Sequence, residues 1–205
     1  KKINKDISVS EIKKRIDFRN ILTFTIDPED AKDFDDALSF RILNNENYEI
    51  GVHIADVSYY VKQNDIIDKQ ALKRGTSVYL VDRVIAMLPE ELSNDICSLV
   101  PNEDRLTFSV IFEFDKSYNL INHRIEKTII NSNRRFNYNE VQKIIETKTG
   151  EYAKEIEILN KIAKKLRKER IDNGTINFDR GEVKFRLDED GKPVDVYFKE
   201  MKDSN

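Results

Sequence analysis

The sequence predicts an α+β domain, a mainly antiparallel sheet with flanking helices. Two paired β-rich runs and one amphipathic stretch carry that expectation. Residues 37–43 and 48–55 are apolar runs separated by the turn-forming Asn44-Asn45-Glu46-Asn47, so they predict a hairpin. Residues 106–114 and 121–130 repeat the pattern around Asp115-Lys116-Ser117-Tyr118-Asn119 and predict a second hairpin. Residues 151–172 set Ile156, Leu159, Ile162, Ala163 and Leu166 along one side of a helix with Lys and Glu opposite, the pattern of a helix lying on a core. A chain of 205 residues, 39% hydrophobic and 36% charged, has the length and composition to build that core.

The remaining elements follow in chain order. Residues 8–20 predict a short amphipathic lead-in, with Ser8 or Ser10 as its helix cap. Residues 22–26 alternate as a buried strand. In residues 65–74 the spacing of Ile66, Ile67, Ala71 and Leu72 suits a helix ended by Gly75. A short strand over 76–80 and a turn of helix after Leu88-Pro89 come next. Residues 140–145 predict a short helix, and Asn173-Gly174 closes the long one. Strands over 182–187 and 194–198 flank the turn Asp188-Glu189-Asp190-Gly191.

The chain is organised around residues 26–38, where five aspartates and a glutamate fall within the ten positions from Asp27 to Asp36. So many carboxylates close together need raised pKa values or a compensating cation. Hard divalent ions, magnesium or else manganese, are their natural partners, and such ions support phosphoryl transfer and hydrolysis. In an extended chain Asp33 and Asp35 share one face and Asp36 takes the other. The backbone between Asp27 and Asp36 is therefore expected to be irregular, with Pro28 starting a turn, so that the carboxylates converge. The alternative is an acidic loop facing solvent. An EF-hand is excluded, because the loop lacks the central Gly and the terminal Glu.

Other residue types narrow the chemistry. His53, among Val52 and Ile54, reads as a hydrogen-bonded structural histidine, and Asp56 as a residue that orients the loop or the surroundings of the metal. The single cysteine, Cys97, excludes an internal disulfide and reads as a buried inert thiol in a reducing cytoplasm. Glu113, Arg124 and Glu126 fall on polar alternation and are expected to face water. The lysines 161, 164, 165 and 168 read as a solvated helix face. A net charge of −3 argues against gripping nucleic acid by bulk charge, no apolar run reaches membrane-spanning length, and the basic start lacks the apolar segment of a signal peptide.

TIDPEDAKDFDDALSF is followed by YEIGVHIADVSYYV, ALKRGTSVYLVDRVIAMLPEELSNDICSL, DRLTFSVIFEFD, SNRRFNY and GTINFDRGEVKFRLDEDGKPV. This ordered set resembles the catalytic RNB domain of the ribonuclease II/ribonuclease R family over nearly the whole chain. The resemblance implies residues 1–20 as a lead-in and 21–205 as the N-terminal portion of that domain. It also implies a magnesium-dependent, processive 3′-to-5′ exoribonuclease that releases nucleoside 5′-monophosphates from single-stranded RNA with a free 3′ end. By match to the family's aspartates, Asp27, Asp33, Asp35 and Asp36 are the implied metal ligands. Asp33 and Asp35 are the catalytic ones, Asp35 holding the terminal nucleotide or the attacking water. Tyr79 matches a tyrosine that stacks on a nucleotide, while Arg135 and Tyr138 match residues that support the site or the RNA channel. Family members continue into a helical second half with an arginine needed for cleavage, and carry cold-shock and S1 domains. The resemblance therefore implies a fragment weakly active or inactive alone. Rivals are a non-catalytic RNA-binding module that keeps the fold and a metal-dependent phosphoesterase acting on small nucleotides.

Overall fold

In a computed structural model, residues 5–81, 83–175, 182–190, 192–199 and 202–205 are described. Residues 176–181 of the last matched stretch, and Gly191 of the turn named with it, lie outside them. In chain order the elements are α1 (Val9–Ile12), β1 (Ile16–Asp17), β2 (Thr23–Asp27), β3 (Asp36–Ile42), β4 (Tyr48–Ala55), α2 (Val57–Tyr60) and α3 (Ile66–Arg74). The hairpin strands β5 (Val78–Tyr79) and β6 (Val84–Ile85) precede a single π-helical turn at Leu92–Ile96. There follow β7 (Asp104–Phe114), β8 (Leu120–Asn131), β9 (Arg134–Asn137), α4 (Tyr138–Thr147), α5 (Ala153–Asp172), β10 (Glu182–Leu187) and β11 (Pro193–Lys199).

Both expected hairpins form and pair with each other, giving a seven-stranded sheet in the order β1-β8-β7-β4-β3-β2-β9. Its interior is antiparallel, and the two short edge strands β1 and β9 run parallel to β8 and β2. Strand alternation divides the core between the two faces of the sheet. On one face Ala37, Ala55, Ile111 and Ile130 pack with Phe18 and with Leu92, Ile96, Cys97 and Leu99 of the π turn and its exit. On the other, Phe24 and Phe136 pack under Val141 and Ile144 of α4 and Ile156 of α5. Phe40, Ile50 and Phe114 pack under Ile162 on that same face.

Local chemistry explains the helix limits. Ser8 caps α1, Asp65 caps α3, and Gly75 ends α3 at φ 77°, where a side chain would be strained. Asn137 and Glu140 form a reciprocal capping box that starts α4 at the last residue of β9.

Some patterns face elsewhere than the sequence suggests. Ile66 and Leu72 of α3 are exposed, and only Ile67 packs on the core. Ala163 is exposed on α5. Arg124 does not simply face water: with Arg41 it brackets the buried Glu49, at 2.9 and 2.7 Å. Glu113 accepts amide bonds from Asn45 and Asn47. The lysine face of α5 is engaged by its own chain, since Lys165 donates to the Ser117 carbonyl and Lys161, Lys164 and Lys168 pair with Glu157, Asp203 and Asp172. Among the described residues no helix is long and apolar enough to cross a membrane.

Candidate active site

β2 and β3 deliver the two ends of the acidic stretch. Asp27 closes β2 in register with Asn137 of β9, and Asp36 opens β3 opposite Ile54 of β4. Between them residues 28–35 are irregular, as expected, with a turn closed by Ala31 N–H on the Pro28 carbonyl. This loop is tied down along its length. The Arg135 guanidinium donates to the carbonyls of Pro28 and, at 2.8 Å, Glu29, while lying 5.5 Å from the centre of the Phe34 ring. The Ser98 hydroxyl accepts from Phe34 N–H and donates to the Lys32 carbonyl, both at 3.0 Å. Leu99 N–H donates to the Phe34 carbonyl and Ala55 N–H to that of Asp35.

The carboxylates respond to this confinement. Asp27 is 8% exposed, and its Oδ2 is buried with no hydrogen-bond partner. Burial pushes the Asp27 carboxyl up to about 6; the Asp36 and Asp33 charges add to the rise, while the Thr25 hydroxyl and Arg135 oppose it. Partial burial likewise raises Asp35, helped by Asp33 and Asp36, and raises Asp36 against its own backbone N–H. Charge thus couples Asp27 to Asp33 and Asp36, and Asp35 to the same two. They are not drawn into a coordination-sized cluster: among the described residues no three His, Cys, Asp or Glu side chains come together closely enough to hold a metal ion. The expected convergence on one ion is not found as a coordination-sized group among the described residues. The donor set still suits a divalent cation, because an all-oxygen group with a buried, partnerless carboxylate oxygen and raised pKa values gains from a positive charge.

Of the other expected residues, Tyr138 stands beside the acids. With Ile26, Asp36, Leu38, Ser204 and Asn205 it lines a cavity of about 160 Å³. Burial raises its hydroxyl pKa, and the Asp27 and Asp36 charges raise it further, against the Asn205 side chain. Arg135 is at the site: its Nη2 donates to loop carbonyls, while its buried Nε has no hydrogen-bond partner. Tyr79 is on the separate two-stranded sheet of β5 and β6, paired with Val84 through its backbone, 70% exposed and with no ring contact among the described residues. Asp56 does not reach the loop through its carboxylate, which is buried against Arg15 at 2.6 Å and accepts from Ser58. His53 is fully buried between the Ser109 and Ser39 hydroxyls, as a structural histidine should be. Cys97 is buried, with its thiol pushed up to about 12 by burial, and is therefore inert.

The RNB domain profile matches residues 15–205. The chain belongs to the RNB domain family. Ribonuclease R 1 of Lactococcus lactis is 45% identical to it over 203 residues, covering 95% of this chain and 24% of that protein. Ribonuclease R of Thermotoga maritima is 47% identical over 190 residues, covering 89% of this chain and 26% of that protein. The chain thus spans about a quarter of the length of these relatives. RNase R of Mycoplasma genitalium, solved with ribose-methylated single-stranded RNA, superimposes with a TM-score of 0.87 at 28% identity over 97% of this chain and 32% of that one. Yeast Ssd1, described as a pseudonuclease, shares the fold with a TM-score of 0.73 at 20% identity over 82% of this chain and 21% of its own.

What the sequence did not point to in this RNB domain is the scaffold of the loop. Ser98 and Arg105 sit in stretches that read as core and strand. The one available sign is a hydroxyl inside the apolar run Ile96-Cys97-Ser98-Leu99-Val100.

Proposed function

We propose that this RNB domain carries the acidic part of a 3′-to-5′ hydrolytic exoribonuclease site acting on single-stranded RNA with a free 3′ end. Asp27 and Asp36 would hold a divalent ion, magnesium or else manganese, with Asp33 and Asp35 as further ligands. The ion, when bound, supplies charge neutralisation at the phosphate and eases loss of a proton from the attacking water. Asp35, partly buried and raised in pKa, holds that water or the terminal nucleotide. Attack at phosphorus breaks the bond to the 3′-oxygen of the preceding nucleotide, which takes up a proton, and a nucleoside 5′-monophosphate leaves. Tyr138 borders the cavity beside Asp36, where a terminal nucleotide fits. Tyr79, exposed and without a ring partner, is available to stack on a base. Arg135 serves the site by holding its loop.

The observation that carries this reading is the buried, partnerless Asp27 Oδ2, with the Asp33 and Asp36 charges acting on the same carboxyl. Relatives named ribonuclease R, and a neighbour solved with single-stranded RNA, support RNA as the substrate. The lone buried thiol suits a cytoplasmic setting. The fold alone does not carry activity, as the likeness to a pseudonuclease shows. The rival, an RNA-binding module without catalysis, is therefore tested directly. The full-length protein is assayed with and without magnesium on a 3′-hydroxyl RNA, the matching DNA and a dinucleotide. Magnesium-dependent release of 5′-monophosphates from the RNA, and a loss of about 10²–10⁴-fold in turnover for Asp35→Asn with RNA affinity retained, are expected. Binding without cleavage supports the rival, and preference for the dinucleotide supports a small-nucleotide phosphoesterase.

A further inference from the structure

We infer that Ser98 is a positioning residue for the acidic site, holding Asp33 in place by gripping the backbone on both sides of it. This inference rests on the exoribonuclease reading above. Asp33 lies between Lys32 and Phe34, and the single hydroxyl of Ser98 accepts the Phe34 N–H and donates to the Lys32 carbonyl, at 3.0 Å each. One fully buried side chain thus fixes the peptide groups before and after Asp33. The neighbouring Leu99 N–H binds the Phe34 carbonyl at 2.8 Å, so the loop follows the 98–99 backbone much as a strand would.

Ser98 is itself held. Arg105, buried on β7, donates from Nε to the Ser98 carbonyl at 2.8 Å and from Nη2 to the Asp95 carbonyl at 3.1 Å, and it pairs with Glu103 at 2.8 Å. A rigid chain therefore runs from the sheet through Arg105 to Ser98 and on to the Asp33 peptide groups. The chemical reason is electrostatic. Asp33 shares the stretch from Asp27 to Asp36 with four other aspartates and a glutamate, and like charges repel, so a loop free to move would carry Asp33 away from its neighbours. A carboxylate array that binds a cation well is one that bears this repulsion while the cation is away, and that requires an external clamp. Arg135 provides the other clamp, at Pro28 and Glu29, leaving the Asp33 segment to Ser98.

The test uses the full-length protein and its Ser98→Ala and Ser98→Cys variants. Magnesium alone is titrated calorimetrically, amide hydrogen exchange is read at Phe34, and kcat and KM are measured on single-stranded RNA. As a control for lost stability, Ile162→Val removes one methylene from the cluster of Phe40, Ile50 and Phe114, which includes no residue of the loop or of β9. The expected result for Ser98→Ala is a loss of at least tenfold in magnesium affinity and in kcat. KM should stay within twofold, Phe34 exchange should quicken at least tenfold, and Ser98→Cys should fall between. Ile162→Val should leave magnesium affinity and Phe34 exchange unchanged. If Ser98→Ala binds magnesium and turns over within twofold of the parent, the proposal is overturned while the nuclease reading stands. If the parent itself neither binds magnesium nor cleaves RNA, the nuclease reading fails, and this proposal fails with it. Should both Ser98 variants fail to fold, Ser98 is a structural residue only and the proposal is likewise overturned.

Discussion

At the scale of single residues, the sheet carries a polar seam beneath Phe18. His53 bridges Ser39 and Ser109, and Thr128 joins Ser109 to Thr107 through hydroxyl contacts of 2.5 Å. A neutral imidazole has one donor and one acceptor nitrogen, and two serine hydroxyls satisfy both without a charge. The ring fits because Gly51 has no side chain: a Cβ there would lie 2.4 Å from both His53 Nε2 and Ser39 Oγ. Gly51→Ala is therefore expected to destabilise the domain by about 1–3 kcal/mol, the usual cost of overpacking, as measured by urea unfolding. An unchanged midpoint would mean that the His53 ring can swing aside at little cost. Histidine at this position reads correctly from sequence as structural. Its serine partners do not, since they lie 14 and 56 positions away along the chain.

At the scale of elements, β9 and α4 act as one unit that supports the acidic loop. β9 lies parallel to β2, so Arg135 stands beside Thr25 and reaches the loop carbonyls, while Phe136 faces the α4 core. Arg134 lies 4.2 Å from the Phe136 ring centre and pairs with Glu140 and Glu151, linking the strand to α4 and to the turn that leads into α5. Asn137 ends the strand and caps the helix at once, and Tyr138 begins α4 at the cavity. Asn137→Ala should cost about 1 kcal/mol through loss of the cap, and should quicken hydrogen exchange in the first turn of α4 ahead of the β4–β7 pair. Uniform loss of protection across the sheet would count against that local role. The helices and hairpins were legible because each is specified by neighbours in sequence. The parallel pairing of β9 with β2 was not, because it joins residues 110 apart, such as Thr25 and Arg135.

At the scale of the whole molecule, buried groups set the response to pH. Burial lowers the His53 imidazole to about 4, from an ordinary value near 6.5. The unfolded chain binds this proton first as pH falls, so the contribution of His53 is complete above about 6.5 and is lost on descending to about 4. That loss is on the order of 3 kcal/mol. Asp27, Asp35 and Asp36 are raised instead, so their contribution runs the other way, present below about 4 and lost as pH climbs through their folded values. Chemical denaturation between pH 4 and 7 should show the His53 dependence more clearly once magnesium, which favours the ionised carboxylates, is present. A His53 ring seen by NMR to protonate near pH 6.5 in the folded protein would refute this assignment.

The sequence by itself determined the two hairpins, the long helix, the irregular acidic stretch between two strands, and the family to which the chain belongs. Each of these is written in local periodicity, turn chemistry or an ordered set of motifs. Only the tertiary structure decided that Arg135 grips the loop's carbonyls, that Asp56 answers Arg15, that Tyr79 stands on a separate hairpin, and that Ser98 brackets Asp33. The reason is physical. Where a hydrogen bond or charge finds its partner depends on strands brought together from distant parts of the chain, and residue spacing carries no record of that meeting.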